Sequence, residues 1–207
     1  MIGRSKSKEK LGMPSFMQRW WLILRAWCRQ PSQVATVMPS SRQLIKTITS
    51  RACLTQASVV VELGPGAGGT TIALLKTLPP NATLLAIEKT EQLIEPLRMI
   101  HDDRLTVLHG DAVDLTDLLR QHQLESVDVV VSGIPFSSIP RDVASRITAA
   151  IRDAMSENGE FIAYQMKGDI EETARPLFGT PQVDFVPLNV PPLRVYSWSP
   201  RRETVGV

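Results

Sequence analysis

The run Val59-Val60-Val61-Glu62-Leu63-Gly64-Pro65-Gly66-Ala67-Gly68-Gly69-Thr70-Thr71 constrains this 207-residue chain more than any other stretch. Three consecutive valines read as a strand buried on both faces. A glycine cluster follows at once, and Ile72-Ala73-Leu74-Leu75 then resumes an apolar pattern with helical spacing. Strand, glycine turn and helix in that order form the opening unit of a doubly wound α/β domain, where the backbone bends sharply and a ligand approaches with no Cβ in the way. Gly64, Gly66 and Gly69 also satisfy G-x-G-x-x-G, a weak signal standing alone. Glu62 separates the ligands: at the strand end its carboxylate would repel a pyrophosphate in a desolvated turn, whereas it suits a ligand bearing an ammonium group.

S-adenosylmethionine (SAM) has such an ammonium beside its sulfonium, and Glu62-x-Gly64-x-Gly66-x-Gly68 resembles the first motif of class I SAM-dependent methyltransferases. Two later features agree. Leu84-Leu85-Ala86-Ile87 ends in Glu88, at about the 20-residue spacing of an acid that holds ribose hydroxyls. Leu105-Thr106-Val107-Leu108 leads to Gly110-Asp111-Ala112, where the resemblance places an acid against the adenine amino group.

The chain keeps alternating. Strands are expected near 58–63, 82–87, 104–108 and 127–132, with helices near 70–78, 90–100 and 114–121. A helix from Pro140 to about Met155, ended by Asn158-Gly159, precedes a fifth strand at Phe161-Ile162-Ala163-Tyr164. Lys167-Gly168 opens another helix through about Leu177, and 182–186 and 193–198 read as extended segments that the resemblance to class I methyltransferases pairs antiparallel at the end of the domain. The expected architecture is a doubly wound, mostly parallel seven-stranded sheet, Rossmann-like, with an N-terminal amphipathic helical extension. Its organisation is a basic tail, amphipathic helix and cap helix over 1–54, then the SAM-binding domain over 55–207.

The fourth strand delivers Ser132-Gly133-Ile134-Pro135-Phe136 to the carboxyl end of the sheet, where α/β proteins place acceptor chemistry. Methyl transfer to nitrogen needs a neutral amine with its lone pair in line with the S–CH3 bond. Carbonyls of Ser132 and Gly133 are candidates to orient that amine, with Phe136 to stabilise developing positive charge by cation–π contact. Tyr196 is a further candidate catalytic residue. Tyr196, Tyr164, Ser40 and Arg194 are candidates for contact with the acceptor.

Charge is unevenly distributed: Arg4, Lys6, Lys8, Lys10, Arg19, Arg25 and Arg29 face Glu9 alone in the first thirty residues, although the net charge is just +2. Residues 14–29 read as a helix between prolines, with Phe16, Trp20, Ile23, Leu24 and Trp27 on one face and Trp21 widening it. Tryptophan interleaved with Arg19, Arg25 and Arg29 is the composition of an element lying in a membrane interface. Ser40 or Ser41 is then placed to cap a helix running to about Leu54. Cys28 and Cys53 form no C-x-x-C pair, no secretory signal pattern is present, and no apolar run is long enough to span a bilayer. A cytoplasmic protein is therefore expected. His101, His109 and His122 lack ligand spacing, so no metal is expected. Arg201 and Arg202 form a small terminal basic patch.

The tryptophan- and arginine-rich stretch, Ala35-Thr36-Val37-Met38-Pro39-Ser40-Ser41, Glu62-Leu63-Gly64-Pro65-Gly66, Ser132-Gly133-Ile134-Pro135 and Asn189-Val190-Pro191-Pro192 with Val195-Tyr196 together resemble the small bacterial phospholipid N-methyltransferases. The resemblance implies transfer of methyl groups from SAM to phosphatidylethanolamine, and onward to its mono- and dimethyl derivatives. It assigns the cofactor to Glu62, Gly64, Gly66, Gly68, Glu88, Asp111 and Ala112. It places a monomeric enzyme on an anionic phospholipid surface, at the inner face of the cell membrane, with no nucleic-acid partner. The alternatives are an rRNA adenine N6-dimethyltransferase or another small-molecule N-methyltransferase. The adenine enzymes carry Asn-Leu-Pro-Phe or Asn-Leu-Pro-Tyr where this chain has Ser132, and they grip RNA with a helical C-terminal domain. A membrane-shaping protein without catalysis is a third reading, disfavoured by the complete cofactor set.

Overall fold

In the computed structural model, the described residues are 41–189 and 191–199. The calls on Phe16, Arg19, Trp20, Trp21, Arg25, Trp27, Arg29, Ser40, Arg201 and Arg202 lie outside them. Two helices come first, α1 (Arg42–Thr49) and α2 (Ala52–Gln56). The alternating core is β1 (Val59–Leu63), α3 (Gly69–Thr77), β2 (Thr83–Glu88), α4 (Glu91–Arg98), β3 (Leu105–His109), α5 (Leu115–Gln121), β4 (Val127–Ser132), α6 (Arg141–Ala154), β5 (Met155–Gln165) and α7 (Asp169–Phe178). The strands β6 (Gln182–Val186) and β7 (Leu193–Trp198) close the sheet.

The seven strands lie in the order β3-β2-β1-β4-β5-β7-β6. All neighbours are parallel except β7, which inserts antiparallel between β5 and β6. Side chains alternate to two cores, as a pleated sheet covered on both faces requires. Val61, Leu63, Ile87, Phe161 and Trp198 face one core, and Val60, Leu84, Val129, Ile162 and Val195 face the other.

Register explains why function gathers at one edge. Leu108, Ile87, Leu63, Ser132 and Ala163 form one row across five strands. The next residue of each strand or turn, His109, Glu88, Gly64, Gly133 and Tyr164, therefore reaches the carboxyl edge together.

The helix expected from the Pro-Ser-Ser segment starts where anticipated, with the Ser41 hydroxyl accepting from the Leu44 N–H at 3.1 Å. It breaks in two at Arg51, whose extended backbone sends its guanidinium to Asp184 at 2.7 Å and Ser197 at 2.8 Å. Leu44, Ile48 and Leu54 are fully buried in the core shared with Val60, Leu74 and Val195, so the described part of 1–54 is built into the sheet domain. Burying Leu44 and Ile48 contributes on the order of 3–6 kcal/mol. The other departure concerns α6, which ends at Ala154, close to the expected Met155, but is not stopped by Asn158-Gly159. Met155 already pairs with Val127 while Glu160 pairs with Val129, so the intervening residues bulge from β5. A Cβ at Gly159 would come within 3.0 Å of the Val127 carbonyl, so this glycine serves a close strand contact and not a helix cap.

Two sequence signatures far apart meet in space. The Asn189 Oδ1 accepts from the Ser41 N–H at 3.1 Å, its Nδ2 donates to the Pro191 carbonyl at 2.9 Å, and the Leu188 N–H donates to Gln43 Oε1 at 3.1 Å. Asn189 is 4% exposed. Asn189→Ala is expected to cost about 1–3 kcal/mol by leaving buried partners unpaired, read as a lower urea midpoint with unchanged slope.

Candidate active site

One cleft opens at the carboxyl edge between the ends of β1, β2 and β4. Gly64, Gly66, Glu88, Asp111, Ala112 and Gly133 line it, together with Lys89, Thr90, Ile134, Pro135, Ile139 and Ile147. Gly64, Gly66, Glu88, Asp111, Ala112 and Gly133 of the sequence-expected set thus share a lining of acids and aliphatic side chains, whereas Glu62 and Gly68 are not part of it.

Glu62 is fully buried at the end of β1. Its Oε2 accepts from the Thr71 hydroxyl at 2.6 Å, while Oε1 has no hydrogen-bond partner among the described residues. Burial pushes the carboxyl up to about 8; the Thr71 hydrogen bond pulls the other way and the charge of Glu88 adds to the rise. A buried carboxylate with a free oxygen is costly unless a cation meets it. Thr71 is the partner that sequence reading missed; a polar residue at the start of the helix after the glycines was the available signal.

Glu88 is 6% exposed and clamps the glycine turn, accepting from the Gly66 N–H at 3.1 Å and from the Thr90 N–H at 2.8 Å. Asp111 accepts from Lys89 Nζ at 2.7 Å and from the Val113 N–H at 3.2 Å. Burial pulls its carboxyl upward, but Lys89, the Val113 amide and Arg146 outweigh that and hold it below the usual carboxylate range. Gly66 has φ +58° and nothing within 4 Å of an added Cβ, so its bare backbone faces open space. Gly68, the N-cap of α3 at φ +80°, packs instead beneath Leu97 and Ile100 and does not line the cleft.

Three acceptor-side expectations need correction. Phe136 is 3% exposed and belongs to the core, so it offers no face to the cleft for a cation; Ile134 and Pro135 hold that wall. Tyr196 is equally buried, stacked on Trp198 with ring centroids 6.0 Å apart, because β7 turns it into the core beside Ala163. The Ser132 side chain is fully buried, its hydroxyl accepting from the Ile134 N–H at 3.3 Å, so what that segment gives the cleft is Gly133 and its followers.

Two neighbours on β5 stand out. Tyr164 is buried against Gly133: a Cβ there would fall 2.2 Å from the phenol oxygen and 2.9 Å from the Gly64 carbonyl. Burial, then the charges of Glu62 and Glu88, push the Tyr164 phenol well above its ordinary range against the pull of a Thr70 hydrogen bond. Gln165, 4% exposed, holds the acceptor loop from both sides, donating to the Ile134 carbonyl at 2.7 Å and accepting from the Phe136 N–H at 3.2 Å. Nothing in the sequence marked Gln165 apart from a polar residue at a strand end.

A family model for ribosomal RNA adenine dimethylases matches residues 39–155. The chain belongs to that family. It is a class I SAM-dependent methyltransferase. An ornithine lipid N-methyltransferase of Singulisphaera acidiphila is 28% identical over 183 residues, covering 87% of this chain and 95% of that one. The ribosomal RNA small subunit methyltransferase H of Acinetobacter baumannii is 28% identical over 112 residues, covering 53% of this chain and 36% of its own length. Among solved structures, the O-methyltransferase from Bacillus cereus in complex with SAH superposes with a TM-score of 0.62 at 12% identity, covering 86% of this chain and 90% of the other. The cleft of this family member fits SAM on its own chemistry, with a bare glycine turn, two acids and aliphatic side chains for a purine, while the unpaired oxygen of Glu62 lies buried outside its lining.

Proposed function

We propose that this methyltransferase transfers methyl groups from SAM to the head-group amine of phosphatidylethanolamine and its mono- and dimethyl derivatives. It works as a monomer on an anionic bilayer at the cytoplasmic face of the membrane. The supporting observation is the extent of the likeness to the ornithine lipid N-methyltransferase, 87% of this chain and 95% of that one, well beyond the core that the adenine dimethylase model matches. Phosphatidylethanolamine presents a primary amine on a short arm, the least bulky version of a lipid-amine acceptor.

When bound, SAM supplies an electrophilic methyl group on a positively charged sulfur. Glu62 would hold the ammonium with its free oxygen, and Glu88, whose two oxygens each keep a second lone pair, would receive the ribose hydroxyls. Asp111 would accept from the adenine amino group, and Ala112 and Ile134 of the same cleft would pack on the purine. On the acceptor side, the backbone carbonyl of Gly133 orients the amine, since Ser132 is wholly buried. Tyr164, a candidate for acceptor contact on sequence, is buried behind Gly133 outside the cleft lining and keeps its proton, since its phenol is pushed up, so it supports the acceptor loop and does not deprotonate the amine. Burial lowers the amine's own pKa, which supplies the neutral nucleophile without a strong base.

Gln165 sets the position of this loop. Gln165→Ala is expected to lower kcat by about 10–100-fold with SAM affinity unchanged, because a loop displaced by an ångström loses alignment and not cofactor contacts. Gln165→Glu keeps the bond from Phe136 but repels the Ile134 carbonyl, and is expected to give no rescue.

The deciding assay is transfer of labelled methyl from SAM to vesicles containing phosphatidylethanolamine, with products separated by chromatography. Label in mono-, di- and trimethylated lipid is the expected result. Label confined to ornithine lipid in parallel vesicles would move the acceptor. Label in ribosomal RNA with none in lipid would overturn the lipid reading in favour of the acceptor in the family's description.

A further inference from the structure

Six large apolar side chains are exposed among the described residues, and four of them lie on β6, in the turn after it or just after β5: Val183, Phe185, Leu188 and Met166. Phe185 is 60% exposed and Leu188 76%. Register places them at the carboxyl end of the sheet, the end at which the cleft opens. Gln165 pairs with Arg194, and Arg194 pairs with Phe185, so the three form one cross-sheet row. Phe185 therefore stands on the order of 10 Å from the residue that holds the acceptor loop. Leu188 follows in the turn that bonds to Gln43, next to Asn189 on Ser41.

Basic residues frame these side chains: Arg194, Arg42 and Lys167 are exposed. The acids of that end are largely engaged, Asp184 with Arg51 at 2.7 Å, Glu172 with Arg141 at 3.4 Å, and Glu171 with Arg175; Asp169 is the exception. The chain also enters the domain here, at Ser41, fourteen positions after the last tryptophan of the stretch that carries Trp20, Trp21, Trp27 and their arginines.

We propose that the carboxyl end of β6 and the turn after it, presenting Phe185 and Leu188 beside Arg194, form a docking surface for an anionic lipid bilayer. The inference rests on the lipid reading above and adds a surface within the folded domain itself. Apolar side chains at a rim of basic ones match the boundary between head groups and acyl chains. Docking through this edge keeps the cleft mouth against the head groups, so the acceptor amine needs to rise no further than the row from Phe185 to Gln165.

The test is flotation of the full chain with vesicles of phosphatidylcholine and phosphatidylglycerol in equal parts, with methylation of added phosphatidylethanolamine measured in parallel. Phe185→Ser with Leu188→Ser is expected to weaken vesicle binding about tenfold, since each side chain withdraws its apolar area from the bilayer. Lipid methylation falls with it, while SAM affinity and the thermal midpoint match wild type. Met99→Ser with Leu177→Ser, exposed apolar positions elsewhere, binds as wild type. Leu188→Ser alone, in a turn, gives a smaller loss in the same direction and decides the matter if the double variant folds poorly.

Double-variant binding equal to wild type, with lipid still methylated by both, overturns the docking surface and leaves the lipid reading standing. Wild-type protein that binds no vesicles and methylates no aminolipid overturns both. A wild-type dimer that the double variant converts to monomer, with vesicle binding unchanged, assigns the surface to a second copy and overturns the proposal.

Discussion

Glu62→Gln is expected to weaken SAM binding about a hundredfold, roughly 3 kcal/mol, the scale of removing one partner from a buried charge pair. The wild-type carboxyl has one oxygen on Thr71 and one unpaired, inside the protein and beside the charge of Glu88. Glutamine keeps the shape and can still accept from Thr71, but it cannot neutralise an ammonium. The pH dependence gives a second signature. Burial raises the carboxyl from 4.5 to about 8, so below that value the ligand-free site is protonated and SAM must displace the proton to bind. Wild-type affinity should therefore rise with pH, by up to about tenfold per unit, and level off above pH 8. The Gln variant should show no such slope.

Stability runs in the opposite sense. The native carboxyl retains its proton where the unfolded chain has lost it, so this group makes wild-type stability fall as pH rises from 4.5 through 8. Glu62→Gln removes that loss and should melt higher than wild type above pH 8. Isothermal titration across pH 6–9 checks affinity, and melting in the absence of SAM checks stability. A Gln variant that binds SAM within about threefold of wild type would place the ammonium elsewhere.

Gly133→Ala is expected to be the most damaging single methyl in the domain. Its Cβ would meet the Tyr164 phenol oxygen at 2.2 Å, the ring carbon at 2.7 Å and the Gly64 carbonyl at 2.9 Å. The tyrosine is buried and the carbonyl is backbone, so neither gives way cheaply. Overpacking of this kind costs about 3 kcal/mol or more, a fall in Tm of roughly 6–12 °C for a chain of this size. Tyr164→Phe in the same chain removes the nearest clash and leaves the other two, so it should restore part of the loss. Because the clash lies between the acceptor loop and the glycine turn, methyl transfer should be lost even at temperatures where the variant is folded. A Gly133→Ala protein with wild-type turnover would show that the acceptor segment moves freely over Tyr164.

The sequence was informative where a residue's role follows from its neighbours in the chain. The valine run, the glycine turn and the acids ending β2 and following β3 declare themselves locally, and the structure brings Gly64, Gly66, Glu88, Asp111, Ala112 and Gly133 to one cleft. Strand limits were close for the same reason: a buried parallel strand is a short apolar run bounded by turn residues. What could not be read depends on partners distant in sequence. Gln165 acts on residues 31 and 29 positions away. Tyr196 and Phe136 look available to a ligand in a linear motif, yet β7 and the core beneath the acceptor loop bury both. The bulge in β5 had its glycine misread as a helix stop, since the Val127 carbonyl it must clear comes from another strand.

The clasp between Ser41 and Asn189 has a consequence for how the molecule is made. Its partners are separated by 148 positions, and Arg51 likewise waits for Asp184 and Ser197. A ribosome adding about 5–20 residues per second needs on the order of 7–30 s to pass from one side of the clasp to the other. Throughout that interval α1 and α2 exist as nascent chain without β6 and β7, and Leu44 and Ile48 lack part of their cover. The domain can assemble its first parallel strands during synthesis, but it fastens last at the place where it began.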